Sequence, residues 1–254
     1  MTSPPPLPCN REAFDAVTAG QWQALFTGPV EELAHWLQAA ARFDHPQAQA
    51  MLGQLLLDGR GVERDAAHAY DCFARAADQG LPMAMNMRAR CLEHGWGVAP
   101  DPLQAAGWYL RAAQAGLDWG MYNYANFLSS GRVLQQDHAR ALMWYRKAAT
   151  LGHAKSLNLV GRYYEEGVVV EADRATAFKY YRASAEGGDF RGQYSYACML
   201  AERGRIDDAN VWLAKIPASA TTAFMKKIGH ELQLSGHPSF RQMGNHMLQL
   251  AASR

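Results

Sequence analysis

The sequence predicts an all-α fold, a right-handed α-α superhelix (a solenoid) of antiparallel helix pairs with a 36-residue repeat. Three observations predict it. Four columns recur at one period: Gly80, Gly116, Gly152 and Gly188; Asp65, Asp101, Asp137 and Asp173; Ala69, Ala105, Ala141 and Ala177; Gly59, Gly95, Gly131 and Gly167. An aromatic pair keeps the same register in Trp108-Tyr109, Trp144-Tyr145 and Tyr180-Tyr181, with Cys72-Phe73 in the first copy. Within one copy, Ala141, Met143-Trp144, Ala148 and Leu151 fall at three- and four-residue steps, the spacing of one helix face. Self-similarity at such a period marks stacked supersecondary units. A chain of 254 residues could hold two ordinary domains, but repeats that touch only their neighbours need no single growing core.

Taken in order, residues 1–10 (Met1 to Asn10) read as a disordered proline-rich tail. They lack the basic start and apolar run of a secretory signal. Residues 11–47 form a degenerate first pair, with helices over Arg11–Phe26 and Glu31–Phe43. Trp36-Leu37 and Ala40-Ala41 lie 36 residues before Cys72-Phe73 and Ala76-Ala77. Four repeats occupy 48–188. Their first helices start at Ala48, Ala84, Gly120 and Ser156. A small column (Gly53, Ala89, Ala125, Gly161, Ala197) lets the paired helix come close. Gly59-Arg60-Gly61-Val62 and Gly95-Trp96-Gly97-Val98 make the inter-helix turn, with glycine supplying positive φ. Val133 and Val169 replace the second glycine in copies three and four, so those turns should differ. Each second helix opens on an aspartate suited to accept from free N–H groups and stops at a glycine. Residues 189–217 hold a shorter repeat, Gly192–Glu202 and then a helix through Trp212-Leu213 ended by Pro217. Residues 218–254 close the stack with helices over Thr221–Leu234 and Ser239–Ala252.

Hydrophobic residues make up 49% and charged residues 19%, a folded rather than disordered composition. The net charge of +1 shows no global basic excess, so no nucleic-acid partner is expected. No apolar run is long enough to span a membrane. Cys9, Cys72, Cys91 and Cys198 do not recur at a fixed repeat position, which favours free thiols and a cytoplasmic location.

The run Ala48-Gln-Ala-Met-Leu-Gly53, then Asp58-Gly-Arg-Gly-Val62, Asp65, Ala69, Phe73, Ala76-Ala77 and Gly80 resembles the Sel1-like repeat, as do the three copies after it. That family is a longer-looped relative of the tetratricopeptide repeat, and the shortened fifth copy resembles the latter. The resemblance implies an adaptor or scaffold, of the kind found in bacterial signalling, envelope and secretion systems. It also implies that the first helix of each pair lines a concave side. Many bacterial members are exported and carry one disulfide per repeat; this chain departs on both counts.

On those first helices three columns point to a peptide- or protein-binding groove. They are Ala50, Asn86, Tyr122, Asn158 and Tyr194; Gln54, Arg90, Asn126, Arg162 and Cys198; and Gln47, Met83, Trp119, Lys155 and Arg191. Asn86/Arg90, Tyr122/Asn126 and Asn158/Arg162 are i, i+4 pairs on one face. Asparagine can bracket a peptide backbone, and arginine fits a carboxylate. Lys155 and Arg191 add charge, and Trp119, Tyr122 and Tyr194 add rigid apolar area. The type and spacing resemble the carboxylate clamp of some tetratricopeptide repeats. The same residues also suit a solvated face, with Arg90 paired to Glu93 or Asp58 and Arg162 to Glu165 or Glu166.

Catalytic patterns are not found. The nine histidines show no HExxH and no cysteine pairing at ligand spacing, and phosphate-loop, GxSxG and S-x-x-K patterns are missing. No metal and no cofactor is expected. The expected function is a non-enzymatic protein-protein interaction adaptor, bacterial and regulatory or secretion-related. The alternative is an immunity or chaperone-like protein that neutralises one folded partner. A hydrolase of cell-wall or β-lactam substrates is a distant third.

Overall fold

The computed structural model describes residues 3–254; Met1 and Thr2, the start of the expected tail, lie outside the described residues. The described residues are all-helical with no strand. The chain forms two compact units, Met1–Gln136 and Asp137–Arg254. The first contains α1 (Glu12–Asp15), α2 (Ala19–Thr27), α3 (Val30–Ala41), α4 (Pro46–Asp58), α5 (Ala66–Asp78), α6 (Pro82–His94), α7 (Pro102–Gln114) and α8 (Asp118–Ser130). The second contains α9 (His138–Thr150), α10 (Ala154–Glu166), α11 (Arg174–Glu186), α12 (Phe190–Glu202), α13 (Ile206–Leu213), α14 (Thr222–Gln233) and α15 (Pro238–Ala252), with a 3₁₀ turn at Ile216–Ala218. Consecutive helix pairs pack as a solenoid of about 36-residue repeats.

The predicted caps and stops are in place. Asp65, Asp101, Asp137 and Asp173 each accept from an N–H in the first turn of α5, α7, α9 and α11. The N–H groups of Asp65, Asp101 and Asp173 also donate back to Leu56, Leu92 and Tyr164, so the cap closes the preceding loop. Gly80, Gly116, Gly152 and Gly188 carry φ of 82–90°, and the Gly59 column caps α4, α6, α8 and α10 in the left-handed conformation.

Helix pairs close on the small column. A Cβ at Gly53 would lie 2.9 Å from Phe73 Cε1, and one at Gly161 would lie 2.7 Å from Tyr181 Cδ1. The rings of Phe73, Tyr109, Tyr145 and Tyr181 are consequently buried. Tyr109 and Tyr181 each donate at 2.7 Å to a carboxylate sixteen residues earlier, Glu93 and Glu165. In the first copy Phe73 stands sixteen residues after Leu57, so hydroxyl and carboxylate are lost together.

Three regions differ from expectation. Arg11–Phe26 is not one helix: Thr18 starts α2 with a reciprocal capping box to Gln21, which fixes Thr18 in extended backbone and separates α1 from α2. Residues 3–10 carry no helix but do not hang free. Trp36 Nε1 donates to the Pro6 carbonyl at 3.0 Å, and Pro8 is buried. The two glycine-to-valine turns are unlike each other. Gly61 and Gly97 hold φ of 69° and 73°; Val169 keeps that conformation at 56°, whereas Val133 does not. A β-branched residue there is strained by roughly 1–2 kcal/mol.

Val169→Gly should raise stability by about 1 kcal/mol in urea unfolding, since the relieved strain is offset in part by glycine's unfolded-state entropy. Gly97→Val should do the reverse by more than about 3 kcal/mol, because its Cβ runs into the Ala66 carbonyl. A Val169→Gly chain no more stable than its parent would mean that the valine sits there without strain.

Tyr181→Phe should cost roughly 1–2 kcal/mol through the lost charge-assisted bond. Adding Glu165→Leu, which recreates the Phe73/Leu57 pair, should recover most of it. A strictly additive double mutant, measured by the same unfolding curves, would show that the two positions are not coupled.

Candidate interaction face

The face is built from the first helix of each pair, because those helices carry the predicted columns. In the first unit α6 supplies Met83, Asn86 and Arg90, and α8 supplies Trp119, Tyr122 and Asn126. Met83 and Trp119 share one register position and are exposed at 48% and 39%. The Trp119 and Tyr122 rings meet edge-on at 6.0 Å. Arg90 does not pair with Glu93, which is taken by Tyr109. Its guanidinium instead stacks 5.0 Å over the Trp96 ring. Asn126 is half-buried on α8.

In the second unit α10 supplies Lys155, Asn158 and Arg162, and α12 supplies Arg191, Tyr194 and Cys198. Lys155 is half-buried. Arg162 is exposed, with Nε 3.8 Å from Glu166 Oε1, so the intramolecular pairing expected of a solvated face is present. Arg191 is exposed and lies 4.5 Å from the Phe190 ring and 5.8 Å from Phe224. Tyr194 donates to Glu231 at 2.7 Å and meets the Phe224 ring edge-on at 6.0 Å.

The asparagine ladder does not face outward. Asn86 is 4% exposed and Asn158 is 7% exposed. Asn123 donates to Asn86 Oδ1 at 2.9 Å, and Ser195 donates to Asn158 Oδ1 at 3.4 Å. These carbonyls tie one first helix to the next. A buried amide needs such a partner, and the residue 37 positions on provides it. The Asn86/Arg90 and Asn158/Arg162 pairs therefore do not form the expected backbone-bracketing clamp.

Sequence reasoning missed the contribution of α14. Phe224 and Glu231 continue the face past α12, with Phe224 against Phe190 and Tyr194 and Glu231 accepting from Tyr194. The signal was the small column, which continues at Gly229. It was hidden because the shorter fifth loop starts α14 at 32 rather than 36 residues after α12.

Burial pushes the Cys72, Cys91 and Cys198 thiols up to about 11, and burial likewise raises Tyr194, beside Cys198 and Glu231. All four cysteines are free thiols. Among the described residues no three His, Cys, Asp or Glu side chains gather where a metal could be held. No helix among them is long and apolar enough to cross a membrane.

The family's sequence model, described as the Sel1 repeat, matches residues 46–81, 82–117, 120–153 and 154–189, over half of the chain. The chain belongs to the Sel1 repeat family. Sel1 repeats generally mediate protein interactions, and Sel1 repeat proteins are generally non-enzymatic scaffolds. A Sel1 repeat protein of Oxalobacter formigenes is similar in fold, with TM-score 0.76, 22% identity, and coverage of 93% of this chain and 99% of that one. A protective antigen of uropathogenic Escherichia coli with an SLR fold gives TM-score 0.68 and 24% identity over 88% of this chain and 49% of that one. The immunity protein Pa5087 of Pseudomonas aeruginosa gives 0.56 and 16%, over 82% of this chain and 81% of that one. No curated protein matches the sequence significantly.

The raised thiols make a test of this environment. In the Cys9→Ser chain no thiol should react quickly with Ellman's reagent near neutral pH. The thiolate is the nucleophile, so the rate at half-buried Cys198 should climb about tenfold per pH unit toward pH 11. A rate independent of pH over that range would contradict the buried, neutral thiol.

Proposed function

We propose that this Sel1 repeat protein is an adaptor that holds a segment of a partner protein on the exposed face of its first helices. The observation that carries the reading is the pair Met83 and Trp119, large apolar side chains exposed at one register position of α6 and α8, with Tyr122 beside them. Exposed tryptophan flanked by an aromatic neighbour is the residue type that dominates binding energy at interfaces. Free thiols support a reducing compartment such as the cytoplasm. A second reading, a neutraliser of one folded partner, draws on the fold shared with the Pseudomonas immunity protein.

Affinity capture from the native lysate, wild type beside Met83→Ser/Trp119→Ala, tests both readings. The adaptor reading expects one protein enriched by wild type and reduced at least tenfold with the variant, the scale of a lost hot spot. A stable one-to-one complex that survives the substitutions would move the contact elsewhere and favour the neutraliser.

A further inference from the structure

We infer that the second unit carries a docking groove beside α9 for a partner-protein segment that sets apolar side chains among carboxylates. The groove lies on a second helix, so it goes beyond the adaptor reading and does not depend on the first-helix face.

The groove arises where the repeat departs from its glycine. A Cβ at Gly61 or Gly97 would run into the backbone carbonyl of Val30 or Ala66, so those two loops close on the start of α3 or α5. Val169 stands at the same position of the loop after α10 and keeps the left-handed conformation, with φ of 56°. A residue with a side chain cannot make the glycine approach. A cavity of about 500 Å³ opens between this loop and α9 instead. Ala139, Leu142 and Met143 line it from α9, with Val169 and Val170 opposite. Met143 is 42% exposed and Val169 is 54% exposed, so neither belongs to the core. An apolar residue both exposed and strained contributes little to the fold, and such residues gather at binding sites.

The chemistry of the lining selects the partner. Arg146 and Lys147 line the cavity, and no Asp or Glu among the described residues does; Glu171 follows Val170 but is not part of the lining. Arg146 Nη2 donates to the Tyr164 hydroxyl at 2.6 Å, and Lys147 Nζ lies 4.5 Å from the centre of the Trp144 ring. Both of those groups are neutral, so the two charges remain for a ligand. The other copies differ. Arg75, at the position of Lys147, is paired with Asp44. Asp71, Gly107 and Lys179 take the place of Met143. The corresponding groove beside α3 is polar, lined by Gln38, Glu63, Arg64 and Asp65. Of the two grooves, the one beside α9 combines an apolar floor with cations that no carboxylate neutralises. An apolar cavity takes inserted side chains, and the cations beside it take carboxylates. A bilayer surface is met by a protruding apolar face rather than by a cavity.

The test selects a displayed library of random peptides, about 16 residues long and so one turn longer than α9, on the full chain. The library is counter-selected on the Met143→Ser/Lys147→Gln variant. The survivors should combine large apolar residues with aspartate or glutamate. A fluorescein-labelled survivor, read by anisotropy, should bind the parent chain more weakly as salt rises from roughly 50 to 300 mM. Met143→Ser should weaken it about tenfold, and Lys147→Gln about two- to fivefold. Val169→Gly separates docking from folding: it should weaken the peptide by about threefold or more while the melting temperature holds or rises. No survivor, survivors without an apolar and acidic bias, or full affinity in the Met143→Ser and Val169→Gly chains would overturn the groove. So would binding to phosphatidylglycerol vesicles, or self-association, that the double variant abolishes; these would assign the surface to a membrane or to a second copy. Capture that depends on Met83 and Trp119, with a failed peptide selection, removes the groove and leaves the adaptor. The reverse pair of results removes the adaptor and leaves the groove.

Discussion

Each repeat depends on one close contact, the aromatic ring of the second helix seated on a residue of the first helix that has almost no side chain. Where that residue is glycine, at Gly53 and Gly161, there is no room even for a methyl group beneath the Phe73 or Tyr181 ring. The contact fixes how near the two helices lie and buries the ring. It also requires the connecting loop to return the chain within a fixed length. The aspartate cap and the left-handed glycines meet that requirement, and α4 to α12 are all 13 residues long. Helix length is set by the geometry of the stop signals more than by propensity within the helix.

A frame held this way leaves the outward columns free to vary. The inward columns hold alanine, glycine and one aromatic position, Phe73, Tyr109, Tyr145 and Tyr181, across four copies. The outward column passes from glutamine through methionine and tryptophan to lysine and arginine. Because each repeat contacts mainly its neighbours, such changes cost little in stability. The buried polar residues are intermediate. Asn86 and Asn158 sit on the same helices as the outward residues, yet they bond to the next repeat and set the spacing of the first helices.

The period made the helix pairs, caps and stops legible in the sequence, since each rests on a residue type with one physical role. Legibility failed where the same residue type serves two roles. Asparagine suits both a ligand clamp and an inter-repeat tie, and only burial distinguishes them. It also failed where the period was broken. Thr18 interrupts a stretch whose composition otherwise reads as one helix, and the shortened fifth loop concealed α14 as a further rung of the face. The Val169 turn shows the converse limit. Its sequence departs from the glycine pattern, but the Val168 N–H bond to the Tyr163 carbonyl and the Asp173 N–H bond to Tyr164 hold the loop in the glycine-like path.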